Sequence, residues 1–409
     1  MSTDATAAES AAPPGGDAPA LRDLSPRALR RWTYLSRFWL GATCGALVVA
    51  LSELMAGPRP VPVALLLGAS LLAVISVVPV HECGHWWVAR LRRMAVAIVA
   101  IGPLELQPRR RGLRMRLRGR KSARRGLGGW VVALPDPRRD VRRDAMWMAA
   151  GGGLANLCFA AACLVAALLL PLSPLRSLLW PLAMMHIATG VLNLLPYLVG
   201  GHTPSDGLNL WRLSRNRYED LPGWSLKLVL GHFAAGLPAD RLDPALLRRM
   251  AAEPEPMPLM RDWLEFDVAQ QAGAADDAAR ARALARMRER AAAYTPQQRE
   301  SVADVLAISE VQEVFYRALG GGDREAVRAL SALDLRQPTL WRVPQVAPRV
   351  RALAAALRGD AAAARVELER ARRHAENDPV PAVAEHEAVL RERIVALLHS
   401  TPANAGAAQ

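Results

Sequence analysis

Val77-Val78-Pro79-Val80-His81-Glu82-Cys83-Gly84-His85-Trp86-Trp87 closes a long apolar run of the chain. On a helix, His81 and His85 lie one turn apart on one face, so both imidazoles can reach a single metal ion. Glu82, next to His81, is placed to take a proton from a water on that ion, which is the H-E-x-x-H arrangement of a zinc hydrolase. Two histidines leave such a site incomplete. The rest of the chain has to supply a third ligand and account for a metal motif inside a membrane-like segment.

The run before His81, from Pro60 to Val80, carries no charge and is about as long as the roughly 20 residues a membrane helix needs. A first run precedes it, with Trp39 and Arg37 as interface anchors, and two more follow. Four spans are therefore expected, at about 36–56, 60–88, 145–170 and 177–199, within a membrane domain covering 31–210. Residues 1–30 read as a disordered tail without a leader peptide, and 401–409 as a second one.

The 409-residue chain has a formal net charge of +14, and only Lys121 and Lys227 are lysines. Basic residues gather before the first run, between the second and third, and after the fourth, while the other two connections carry one each, Arg59 and Arg176. That distribution follows membrane topology, not a nucleic-acid groove, and no nucleic-acid partner is expected. It puts both termini and the arginine-rich loop in the cytoplasm. The arginine-heavy composition suggests a GC-rich bacterial genome, hence an inner membrane.

Seventeen Arg or Lys residues lie between 90 and 143, yet Ala95–Leu106, the alternating Leu113–Arg118 and Gly128–Val132 all favour strand. A small β-structured cytoplasmic insertion is the expectation, with a disordered basic loop as the alternative. Residues 211–260, broken by prolines, read as a connector. Residues 261–400 are amphipathic, rich in Ala, Leu, Arg and Glu, with turns at 272–277, 320–323 and 358–360. They predict a soluble α-helical domain of repeat-like helical hairpins, which either binds a cytosolic partner protein or is a plain helical bundle. The fold class is thus an all-α polytopic membrane protein with a β insertion and a C-terminal helical domain.

The fourth run ends in Gly190-Val-Leu-Asn193-Leu-Leu-Pro196-Tyr197, followed by Gly200-Gly-His202-Thr-Pro-Ser205-Asp206-Gly207. By the topology above, the second and fourth spans both run outside to inside, so Asp206 returns to the side of the membrane where His81 and His85 lie. A carboxylate there can complete a three-ligand zinc site that leaves one position for water.

His81-Glu82-Cys83-Gly84-His85, Asn193-Leu-Leu-Pro196 with Asp206-Gly207, and the Gly151-Gly-Gly153-Leu-Ala-Asn156 element together resemble the site-2 protease family of intramembrane zinc metalloproteases. The likeness covers about residues 60–210. It implies Zn²⁺ held by His81, His85 and Asp206, with Glu82 as general base. Substrates would be membrane proteins cleaved in or near their spans within the lipid bilayer. One departure is the nine residues between Pro196 and Asp206, where many members have four, and it admits His202 as an alternative ligand.

Asn156 and Asn193 each have two readings, as amide donors to the scissile carbonyl or its oxyanion, or as packing residues between helices. His186, seven residues before Asn193, reads as a buried histidine satisfied within the bundle. From a different functional class, the same chain could be an inactive membrane adaptor whose helical half binds partners.

Overall fold

In a computed structural model of the chain, residues 22–56, 61–118, 128–171, 174–200, 203–221, 223–237, 241–271, 277–320 and 323–400 are described. Four apolar helices form the bundle: α1 (Pro26–Ala56), α2 (Val63–Leu91), α3 (Val141–Leu169) and α4 (Pro174–Leu194). Among the described residues, Pro26–Met55, Val63–Leu91 and Val141–Leu169 are long and apolar enough to cross a membrane; the apolar stretch Leu178–Leu194 is shorter. The fourth apolar run thus stops as a helix at Leu194, five residues before the expected boundary. Helix α1 starts at Pro26, inside the stretch read as a tail over 1–30; residues 1–21 and 401–409 lie outside the described residues.

Helix α2 packs on α3 and α4, and α1 packs on α4, where the Trp39 indole donates to the Ala188 carbonyl at 3.0 Å. Arg92, just past the end of α2, binds Asp144 in the first turn of α3, and that carboxylate is 1 % exposed. A buried carboxylate tied to a guanidinium in this way fixes the ends of two helices against each other.

The basic loop is a four-stranded antiparallel sheet ordered β3-β2-β1-β4, with β1 Ala95–Ile101, β2 Leu104–Pro108, β3 Leu113–Leu117 and β4 Gly129–Leu134. Gly102, with φ +53°, turns the chain between β1 and β2, dividing what the sequence presents as one strand-like run. Val96, Val99, Leu106 and Ala133 bury one face of the sheet on Ala89 and Trp86 near the end of α2. That packing sets β4, an outer strand, beside the H-E-x-x-H turn of α2.

Past the bundle, a two-stranded hairpin of β5 (Leu198–Val199) and β6 (Thr203–Pro204) leads into α5 (Asp206–Arg215). Helices α6 (Trp224–Ala234) and α7 (Pro244–Ala252) occupy the region read as a connector. The elements described in the C-terminal half are helices: α8 (Met257–Gln271), α9 (Asp277–Ala293), α10 (Pro296–Leu319), α11 (Arg324–Ala332), α12 (Val346–Leu357), α13 (Ala361–Glu376) and α14 (Pro381–Ser400). Asp323 caps α11 and Asp360 caps α13 through backbone amides, so the Gly-Asp turns seen in the sequence are helix starts. The turn residues 272–276 and 321–322 lie outside the described residues.

Candidate metal centre

Helix α2 runs through Pro79 without interruption and carries both histidines on the face turned to α3. The reason they fit there is Gly152. A Cβ built on it would lie 2.5 Å from His81 Cε1 and 2.5 Å from His85 Nε2, so any side chain at 152 would displace the imidazoles. From the same helix, the Met148 carbonyl accepts a hydrogen bond from His85 Nδ1 at 2.7 Å. That bond orients the ring and leaves Nε2 with its lone pair free. His81 Nδ1 is buried and has no hydrogen-bond partner among the described residues.

Asp206 arrives from the other side. Ser205 caps α5, its hydroxyl accepting from Leu208 N at 3.1 Å and Tyr197 N at 3.1 Å while donating to the Leu195 carbonyl at 2.6 Å. Together with the bond from Ser205 N to Tyr197 O, this pins the start of α5 to the end of α4. Gly207 is part of the same seam, because a Cβ there would come within 2.1 Å of the Leu194 carbonyl oxygen. The extra residues after Pro196 form the β5–β6 hairpin, whose closed base returns the chain to the bundle at Asp206. His202 lies outside the described residues.

Three ligand atoms converge. Asp206 Oδ2 is 3.1 Å from His81 Nε2 and 3.4 Å from His85 Nε2, and the two ring nitrogens are 3.1 Å apart. Ligand atoms on a tetrahedral zinc, at bonds of about 2.0–2.1 Å, stand roughly 3.3–3.4 Å from one another. The triangle has the size of one face of that tetrahedron. Burial pushes the Asp206 carboxyl up, but hydrogen bonds and charge from His81 and His85, when those rings carry the extra proton in place of a metal, outweigh it and hold it down, at about 2. The donor set is two imidazoles and one carboxylate, the chemistry that suits zinc.

Glu82 is 4 % exposed, and its Oε2 has no hydrogen-bond partner among the described residues. Strand β4 covers it at Gly129, where a Cβ would lie 2.4 Å from Glu82 Cγ and 2.6 Å from the Ala100 carbonyl oxygen. These residues line a cleft of about 590 Å³ that continues between β4 and α6, with Trp130 on one side and Trp224 and Lys227 on the other. Lys227 Nζ lies 4.2 Å from the centroid of the Trp224 ring.

The two asparagines part company. Asn193 lines the cleft and donates to the Thr189 carbonyl at 3.0 Å. Asn156, fully buried, turns into the bundle: its oxygen is 3.0 Å from His186 Nδ1, and its amide donates to Thr189 Oγ1 at 3.4 Å. His186 Nε2 in turn meets Ser76 Oγ at 3.1 Å, as expected of a histidine satisfied within the bundle. Gly152, Gly129 and Lys227 stand in the sequence reading without a role at the site, and the Met148 carbonyl and Trp224 do not figure in it. A glycine triplet one helix away was the signal for Gly152, and the rarity of lysine the only one for Lys227.

No curated protein and no solved structure matches the chain. Residues 69–175, which hold His81, Glu82, His85 and Gly152, match the model of Peptidase family M50, and over that segment the chain is identified as similar to the site-2 proteases, a family of membrane metalloproteases.

Proposed function

We propose that the chain is an intramembrane zinc metalloprotease that hydrolyses peptide bonds in or near the membrane-spanning segments of other membrane proteins. The observation that carries this is the His81–His85–Asp206 triangle, of tetrahedral size, directly beside a Glu82 carboxylate whose Oε2 has no hydrogen-bond partner among the described residues. In this reading His81 Nε2, His85 Nε2 and Asp206 Oδ2 hold the zinc. When bound, zinc lowers the pKa of a coordinated water and polarises the scissile carbonyl.

The chain's own residues do the rest. Glu82 takes the proton of the attacking water on its carboxylate and passes it to the leaving amine. Met148 keeps the His85 ring aligned, and Asn193, on the cleft wall, offers an amide toward the carbonyl oxygen. An extended substrate segment can pair with the outer edge of β4, which passes Glu82 at Gly129. A transmembrane helix has its amides bonded internally, so local unwinding must precede this pairing, and helix-breaking residues in the substrate promote it.

Four spans, with both termini and the sheet on the cytoplasmic side of a bacterial inner membrane, are the arrangement this function uses. The test is capture followed by cleavage. Glu82→Gln protein is expected to retain membrane proteins that wild-type protein, zinc-loaded and reconstituted, then cuts in or near their spans. Equal cutting by Glu82→Gln, or captured proteins that wild type leaves intact, would overturn the reading.

A further inference from the structure

The cleft has two walls, and the C-terminal half touches the supports of both. On one side it grips the β2–β3 hairpin of the sheet that ends in β4. Arg109, its side chain 2 % exposed, pairs with Asp378. Arg110 N donates to the Asn377 carbonyl at 3.1 Å, Arg111 N to Asn377 Oδ1 at 2.6 Å, and Asn377 Nδ2 returns a bond to the Arg111 carbonyl at 3.1 Å. Further along β2, Glu105, 1 % exposed, is held between Arg116 at 2.8 Å and Arg342 at 2.9 Å. Gln107 donates to the Arg342 carbonyl at 2.9 Å, and the Arg116 guanidinium stacks 4.5 Å over the Trp341 ring.

On the other side, α6 carries Trp224 and Lys227. It is seated on the sheet end at Gly231, where a Cβ would come within 2.1 Å of the Pro135 carbonyl oxygen. Its far end meets the C-terminal half, since α14 packs on α6 and a Cβ on Gly236 would lie 3.6 Å from Pro381 Cγ. The β2–β3 contact and the α6 contact lie within a few residues of each other in the C-terminal half, at Asn377–Asp378 and Pro381. One turn between α13 and α14 therefore reaches the supports of both walls.

We infer that the C-terminal helical half is a brace that fixes the gap between β4 and α6, with Asn377 and Asp378 as positioning residues for the cleft, and not a module tethered independently of it. This rests on the reading of the cleft as the place where substrate lies. Buried charge pairs impose this kind of fixed geometry, because a partner removed leaves the other charge desolvated and unpaired. The sheet transmits it: β2 bonds to β1 and β1 to β4, so the Arg109 end and the Glu82 end belong to one hydrogen-bonded layer. Glu82 and the metal ligands are untouched by the brace, which acts only through β4 and α6.

The experiment is hydrogen exchange on full-length protein in detergent, comparing wild type with Asp378→Arg, Arg109→Asp and the two combined. Asp378→Arg and Arg109→Asp alone are expected to speed exchange about tenfold across β4 and α6, far from the altered side chains, with the double variant near wild type. Acceleration confined to residues 109–112 and 377–381, with β4 and α6 unchanged, would overturn the brace. Where the charge variants do not fold, Asn377→Ala carries the same expectation at about threefold, and an unchanged β4 in that variant rejects the inference equally. Zinc content of each sample separates the two proposals. A protein that binds no zinc but shows this exchange pattern sinks the protease reading and leaves the brace standing.

Discussion

Two histidine clusters lie inside the same helical bundle, and they are built in opposite ways. Around His186 every polar atom is answered: Ser76 on one ring nitrogen, Asn156 on the other, and Thr189 on the Asn156 amide. Around His81 and His85 the polar atoms point at one another, with three ligand atoms crowded at 3.1–3.4 Å while His81 Nδ1 and Glu82 Oε2 have no hydrogen-bond partner among the described residues. A buried polar group left unsatisfied is costly, so a cluster of them persists where a guest completes it. Satisfaction marks the glue of a bundle; convergence without satisfaction marks its site.

The comparison breaks most sharply at Glu82. Glu82→Gln should lower cleavage by about 10²–10⁴-fold, the range for a lost general base, with zinc content unchanged. Loss of zinc with that variant would mean that Glu82 is a ligand and the triangle misread. Gly129→Val should come next: its side chain must push the Glu82 carboxylate aside, lowering kcat by about 10²-fold, a loss expected when a catalytic group is misplaced by about 1 Å. A Gly129→Val protein with wild-type turnover would show that β4 does not abut Glu82.

The other cluster gives the contrasting result. His186→Ala should reduce stability by about 1–2 kcal/mol, chiefly through the stranded Asn156 side-chain oxygen, visible as a lower midpoint in thermal unfolding, and leave zinc content unchanged. Zinc lost with His186 would erase the distinction between the clusters. The smallest effect is electrostatic and lies at the sheet. Burial pushes the Glu105 carboxyl up, but hydrogen bonds and charge from Arg342 and Arg116 outweigh it and hold it below its ordinary 4.5. A carboxylate depressed in the folded state stabilises fully above its ordinary value, and that stability is lost as pH falls through the folded value. Thermal stability should therefore fall below about pH 4.5 more steeply in wild type than in Glu105→Gln, measured over the same acid range. Parallel curves would remove Glu105 from the docking account.

Much of this was legible from spacing. His81, Glu82 and His85 need only a helix to meet, while Asp206 was reached through the expected topology together with the likeness to the site-2 proteases, and His202 stayed open beside it. The strands of the basic loop also showed, because Leu113–Arg118 alternates as an antiparallel strand does. What escaped was decided by tertiary contact. Nothing in Gly129 reveals that it covers Glu82, and nothing near Trp224 and Lys227 marks a stretch of apparent connector as a cleft wall. Asn156 and Asn193 look alike in sequence, and only the packing of α3 on α4 sends one to His186 and the other to the cleft. The nine residues before Asp206 were ambiguous for the same reason, since a hairpin closed by Ser205 becomes visible only once Tyr197 is seen to pair with it.

Zinc per chain in gently purified protein, with metal supplied, tests the central claim most directly when wild type stands beside Asp206→Asn, His202→Ala and His186→Ala. The account predicts about one zinc in wild type, His202→Ala and His186→Ala, and a marked loss in Asp206→Asn alone. Full zinc in Asp206→Asn, or none in wild type, would contradict it.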